Sequence, residues 1–165
     1  MRLSRSQGPR ALDAYSAALR AGLELCEVPP AERRKLFEAL VTSSIRAGRA
    51  AEAPGFLRDL QRQGPGADAG LVASAVKLCT SKKCFQECLE VYDAVAEEGK
   101  DLDRSTWSCL IFAAVEAKEH QRCAGFFRQL KAAGQPSAKD YGNMIRCAAA
   151  GHECDLALAL VREMQ

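Results

Sequence analysis

The chain has 165 residues, a formal net charge of +2, and a composition that is 48% hydrophobic, 27% charged and 6% aromatic. That length holds one domain or a short repeat array, and that much apolar material supports a continuous core and excludes intrinsic disorder. No apolar run approaches the ~20 residues that span a bilayer, and 23 basic against 21 acidic residues leave no bulk field to attract nucleic acid.

Taken in chain order, the N-terminal MRLSRSQGPR is basic and has no apolar signal segment, so a secretory leader is not expected. Pro9 to Ala21 reads as one helix with Ala11, Ala14, Tyr15 and Ala18 on one face, closed by Gly22. The stretch CEVPPAE follows as an insertion, and Pro29 and Pro30 are placed to start the next helix. From there the chain repeats. Phe37, Val72, Trp107 and Tyr141 are separated by 35, 35 and 34 residues, and Val41, Val76, Ile111 and Ile145 keep that phase. Downstream, the small residues Ala53, Cys88, Cys123 and Ala157 keep the same intervals. So do Leu57, Tyr92, Phe127 and Val161, and then Leu60, Val95, Leu130 and Met164. Agreement among independent columns identifies a repeat.

Each period has room for two helices. The upstream segments, such as TWSCLIFAAVEA, carry apolar residues at helical spacing over about twelve positions. The downstream segments, such as CLEVYDAVAEEG, carry them at i, i+3, i+4 and i+7 and then end on glycine. Gly64, Gly99 and Gly134 are C-terminal stops, because glycine takes positive φ without a Cβ clash. GPGAD, GKDLD and GQPSA are the turns between repeats. No period-two alternation marks a strand. The expected fold is all-α, a right-handed α-solenoid of helix-turn-helix repeats. The expected organisation is one array over residues 1–165: a half repeat at 9–22, complete repeats at 35–69, 70–104 and 105–138, and an incomplete one at 139–165. Neither end carries a dedicated cap, so the ends are expected to pair with further chain or with a partner. The eight cysteines lie among Ala, Leu and Val, and Cys88 and Cys123 share a column with two alanines. They read as small packing residues.

An aromatic followed by an apolar pair in the first helix, then a small residue, an apolar stripe and Gly in the second, resembles the pentatricopeptide repeat family. The match is closest in WSCLI from Trp107, CAGFFRQL from Cys123 and GQPS from Gly134. The resemblance implies a concave surface of first helices that binds single-stranded RNA, about one nucleotide per repeat. It also implies that the residue after the aromatic and the residue at the end of the repeat, four before the next aromatic, choose the base. Those positions pair Glu38 with Asp68, Ala73 with Asp103, and Ser108 with Ser137, and leave Gly142 without a partner in the chain. The family uses Asn, Thr or Ser at the first position and Asp or Asn at the second. Asp68, Asp103 and Ser108 conform; Glu38 and Ala73 depart. Two positions before the aromatic, where the family sandwiches the base with apolar residues, stand Lys35, Gly70, Ser105 and Lys139. Lys35 and Lys139, with Arg46 and Lys82, are the phosphate-backbone candidates.

Enzymatic readings are weaker. Cys84-x3-Cys88, His120-x2-Cys123 and His152-x-Cys154 lack zinc-finger spacing, and no phosphate loop, dinucleotide fingerprint or HExxH occurs. No metal, cofactor or catalysis is expected. The single tryptophan, Trp107, sits in the apolar aromatic column and reads as an interhelix residue, not a stacking platform. The resemblance implies RNA processing, stability or translation in a mitochondrion or plastid. The alternative is a protein-interaction scaffold, possible partners docking on the array ends or the convex face, and no membrane is implied.

Overall fold

The structure is a computed structural model that describes residues 7–20, 28–63, 66–95 and 101–164. Gly22, Cys26, Gly64 and Gly99 lie outside the described residues. The chain divides into two compact units, residues 1–100 and 101–165. The first holds α1 (Gln7–Arg20), α2 (Pro30–Arg46), a 3₁₀ turn (Ala50–Glu52), α3 (Ala53–Gln63), α4 (Ala69–Ser81) and α5 (Phe85–Asp93). The second holds α6 (Arg104–Glu116), α7 (His120–Ala133), α8 (Ala138–Ala150) and α9 (Cys154–Met164). Among the described residues there is no strand, and no helix is long and apolar enough to cross a membrane.

Helix starts follow from cap chemistry. Pro30 opens α2, where its missing N–H costs nothing. Asp68, Asp103 and Ser137 are the N-caps of α4, α6 and α8, each accepting a backbone N–H from the third residue on. Within each hairpin the chain reverses on one residue at positive φ: Gly48 (80°), Lys83 (60°), Lys118 (63°) and His152 (57°). These four keep the repeat interval. The following amides close back onto the first helix, Arg49 N to Ser44 O at 2.8 Å, Cys84 to Cys79 at 3.0 Å, Glu119 to Ala114 at 2.8 Å and Glu153 to Ala148 at 2.9 Å. That is a Schellman closure repeated in every hairpin.

In the first unit α2 packs on α3 and α4 on α5, with α2 beside α4 and α3 beside α5. Phe37, Val41, Val72 and Val76 are fully buried between the first helices and their partners. Tyr15 on α1 sets its ring edge-on to Phe37 and Phe56, with centroids 5.7 and 5.6 Å away. In the second unit α6 packs on α7 and α8, and α8 on α7 and α9. Trp107 is buried against Phe126, and Phe127 meets Tyr141 edge-on at 5.4 Å. The small-residue column works as its size requires: Ala53, Cys88 and Cys123 are fully buried where the helices of a hairpin cross. Burial pushes the Cys79 and Cys123 thiols up to about 12, the behaviour of inert packing groups.

The last helix differs from its counterparts. Leu60, Val95 and Leu130 are buried, whereas Met164 in their column is 44% exposed and Leu158 on the same helix 56%. Leu160 and the Tyr141 hydroxyl, donating to Glu163 at 3.1 Å, hold α9 to α8.

Candidate nucleic-acid interface

Residues i, i+3, i+7 and i+11 share one side of a helix. On α2 these are Lys35, Glu38, Thr42 and Arg46, exposed or half-buried throughout. The same positions on α6 are Ser105, Ser108, Phe112 and Glu116, and on α8 Lys139, Gly142, Arg146 and Ala150. This stripe is left open because the opposite sides of the first helices carry the buried columns.

In the first unit the stripe of α2 faces the start of α4. Arg34 Nε donates to Glu38 Oε1 at 3.1 Å, and the Arg34 guanidinium also pairs with Asp68. One cation therefore bridges the two carboxylates that sequence places together. The other Asp68 oxygen accepts from Leu71 N at 2.8 Å, capping α4. A cleft of about 370 Å³ opens beside this cluster, walled by Arg34, Glu38, Thr42, Asp68, Gly70 and Ser74. Ala73 stands half-buried on α4 in this unit, while Asp103 belongs to the other.

In the second unit a different arrangement occupies the equivalent place. Ser137 caps α8, and Asp140 completes a capping box: its Oδ2 accepts from Ser137 N at 2.8 Å and from Ser137 Oγ at 2.6 Å. Ser108, across on α6, donates to the other carboxylate oxygen. Asp140 is fully buried, with Arg104 Nη2 4.0 Å away. Burial alone would raise its carboxyl, but hydrogen bonds from Ser108 and Ser137 and the charge of Arg104 outweigh that and hold it below the usual range. Ser108 and Ser137 are thus brought together through a third residue. Asp103 likewise caps α6, accepting from Thr106 N at 2.7 Å and Thr106 Oγ1 at 2.5 Å.

The basic candidates separate by position. Lys139 lies in the first turn of α8 and Lys35 in the second turn of α2, beside the candidate base-reading positions, and both are exposed. Lys139 Nζ sits 5.3 Å over the half-buried Phe112 ring, a cation–π contact on the stripe itself. Arg46 and Lys82 are exposed at the opposite ends of the first helices, the last residue of α2 and the C-cap of α4. Gly142 adds open space beside the stripe, since a Cβ there would meet nothing within 4 Å. Among the described residues no three His, Cys, Asp or Glu side chains are grouped as a metal site would need.

Residues 59–165, about two-thirds of the chain, match the family described as the pentacotripeptide-repeat region of PRORP. The chain belongs to the pentatricopeptide repeat family. The fold agrees: the crystal structure of the pentatricopeptide repeat protein PPR10 from maize superposes with a TM-score of 0.55 over 94% of this chain, at 18% identity. This chain spans 26% of the maize protein's. Among curated protein sequences none matches it. Within this pentatricopeptide array, Asp140 beneath the stripe and Phe112 on it are the residues that sequence reasoning passed over. Only Asp140 left a local signal, the S-x-x-D spacing from Ser137 at a helix start.

Proposed function

We propose that the chain binds single-stranded RNA along the open stripe of its first helices, holding the strand without catalysing a reaction. Its setting would be RNA processing, stability or translation in a mitochondrion or plastid. The observation that carries this reading is the second unit's stripe. There a lysine over an aromatic ring, Lys139 on Phe112, lies on the same helix pair as two polar reading positions, Ser108 and Ser137. Cation, ring and hydrogen-bonding groups are the three elements that single-strand binding combines. Family membership supports the same conclusion.

Several of the basic residues are committed within the protein, Arg34 to Glu38 and Asp68 and Arg146 to Glu116 at 2.7 Å. Phosphate binding therefore falls to Lys35, Lys139, Arg46 and Lys82. The test is binding of a short unstructured oligonucleotide to the purified chain over a salt series. Affinity should fall with salt, and the logarithmic slope should shrink by about 0.7 for each phosphate left without its cation. The double variant Lys35→Glu/Lys139→Glu should weaken binding several-fold and flatten the slope. Binding that ignores both salt and this variant rules the reading out.

A second reading, a scaffold for protein partners, draws on α9. Its exposed Leu158, Val161 and Met164 form an apolar stripe of the kind that marks interaction surfaces. A stable protein partner that Val161→Asp releases, together with no salt-sensitive RNA binding, would favour it.

A further inference from the structure

Among the described residues Asp140 is the one fully buried acidic or basic side chain. The column it occupies holds Leu36, Leu71 and Thr106 in the earlier repeats. Its neighbour in that column explains how a carboxylate came to be there. At the start of α6 the carboxylate is the cap, Asp103, and the hydroxyl of Thr106 donates into it. At the start of α8 the two chemistries are exchanged: the hydroxyl of Ser137 is the cap and Asp140 takes the inner place. The exchange carries the charge from an exposed cap to a buried position between α8 and α6, within reach of Ser108.

An ionised carboxylate only accepts. Both hydroxyl protons, from Ser108 and from Ser137, are therefore committed to Asp140. A serine hydroxyl whose proton is free can rotate to donate or to accept and discriminates little. These two cannot rotate without leaving a buried carboxylate short of a donor, which is costly in a site closed to water. The oxygens that remain toward the groove offer lone pairs and no proton. Ser137 Oγ also accepts from Asp140 N, at a long 3.4 Å.

We propose that Asp140 is a positioning residue that turns Ser108 and Ser137 into a pair of hydrogen-bond acceptors, so that this repeat selects guanine. Guanine is the base whose Watson–Crick edge carries two adjacent donors, N1–H and the N2 amino group. Adenine N1, cytosine N3 and the uracil carbonyls would each set an acceptor against an acceptor. This specificity rests on the RNA-binding reading above and goes beyond it by naming the base and the residue that imposes it.

The experiment uses the full chain and fluorescence anisotropy with a short oligouridylate in which one guanine is moved along the strand, then replaced by adenine, cytosine or inosine. Guanine at one position should bind about tenfold tighter than the other natural bases there, the discrimination expected of a bidentate base contact. Inosine, which lacks the N2 amino group, should fall between. Asp140→Asn introduces an amide donor that forces one serine proton outward, and should cut the guanine preference to about twofold while salt-sensitive binding persists. Ser108→Ala removes one acceptor, leaves the α8 capping box intact, and should have the same effect on preference. Equal binding of guanine, adenine and uridine at every position, with binding still salt-sensitive, overturns the assignment of Asp140 and leaves the RNA reading standing. So does a full guanine preference surviving in both variants. Absence of binding to every strand at low salt removes the RNA reading itself, and this assignment with it.

Discussion

The two grooves solve one electrostatic problem in opposite ways. In the first unit the two positions proposed to read a base carry carboxylates, Glu38 and Asp68, and a half-exposed arginine from the same helix as Glu38 pairs with both. In the second unit the same positions carry hydroxyls, Ser108 and Ser137, and a buried carboxylate from the next helix organises both. The first cluster is open to water on one side, so its ion pairs are screened and contribute little to stability. In the second the carboxylate is closed to water, so its hydrogen bonds have to be satisfied within the protein. The same repeat geometry therefore yields an adaptable surface in one unit and a fixed one in the other.

The largest expected effect follows from that difference. Asp140→Ala strands two serine hydroxyls and the Ser137 amide and removes the α8 capping box, at a cost of about 2–4 kcal/mol of unfolding free energy in denaturant titration. Arg34→Ala should cost less than about 1 kcal/mol. Equal losses would break the contrast. Acid sharpens it. The folded Asp140 carboxyl lies below its ordinary value, so the stability it contributes is fully present at neutral pH and is lost as pH falls through that lowered value. Asp140→Asn should lose less stability between neutral and acid pH than the parent chain, and a parallel acid profile in both would contradict the assigned hydrogen bonds.

A smaller effect is expected one residue further out. Gly134 ends α7 at φ 157°, and a Cβ on it would stand 3.3 Å from Arg104 Cδ, on the side chain that faces Asp140. Gly134→Ala should cost about 1–2 kcal/mol, through backbone strain and through Arg104 being pushed aside. Guanine preference should stay unchanged, because the serine protons do not depend on Arg104. The smallest effect lies in the hairpin turns. The α2–α3 turn has Gly48 at its left-handed position and the α6–α7 turn has Lys118. Lys118→Gly should stabilise the chain by up to about 1 kcal/mol in the same titration, since lysine suffers a Cβ clash there that glycine does not. Gly48→Lys should do the reverse.

How much of this could be read from residues alone varies with the kind of column. Phe37, Val72, Trp107 and Tyr141 announce themselves because burial demands an apolar side chain in each repeat, and all four are buried. Asp68, Asp103 and Ser137 were visible four residues before the next aromatic, but one residue type serves two ends. Each is also the helix cap, so its identity is accounted for before any base is considered. The turn column Gly48, Lys83, Lys118 and His152 shares no chemical type, because what recurs there is a backbone angle. Phe112 and Arg34 have ordinary sequence surroundings and gain meaning only from Lys139 and Asp68, far along the chain.

The sequence by itself determined the helical hairpin, its period and its packing columns, because these depend on local periodicity and on side-chain size repeated at one interval. The tertiary structure decided which charges are taken up internally. Whether a carboxylate repels its neighbour, pairs with an arginine or aligns two hydroxyls depends on distances between helices and on access to water, and neither is written in any one repeat. The formal charge of +2 counts every lysine and arginine alike; the fold commits Arg34, Arg104 and Arg146 to carboxylates of the chain and leaves Lys35 and Lys139 exposed on the stripe.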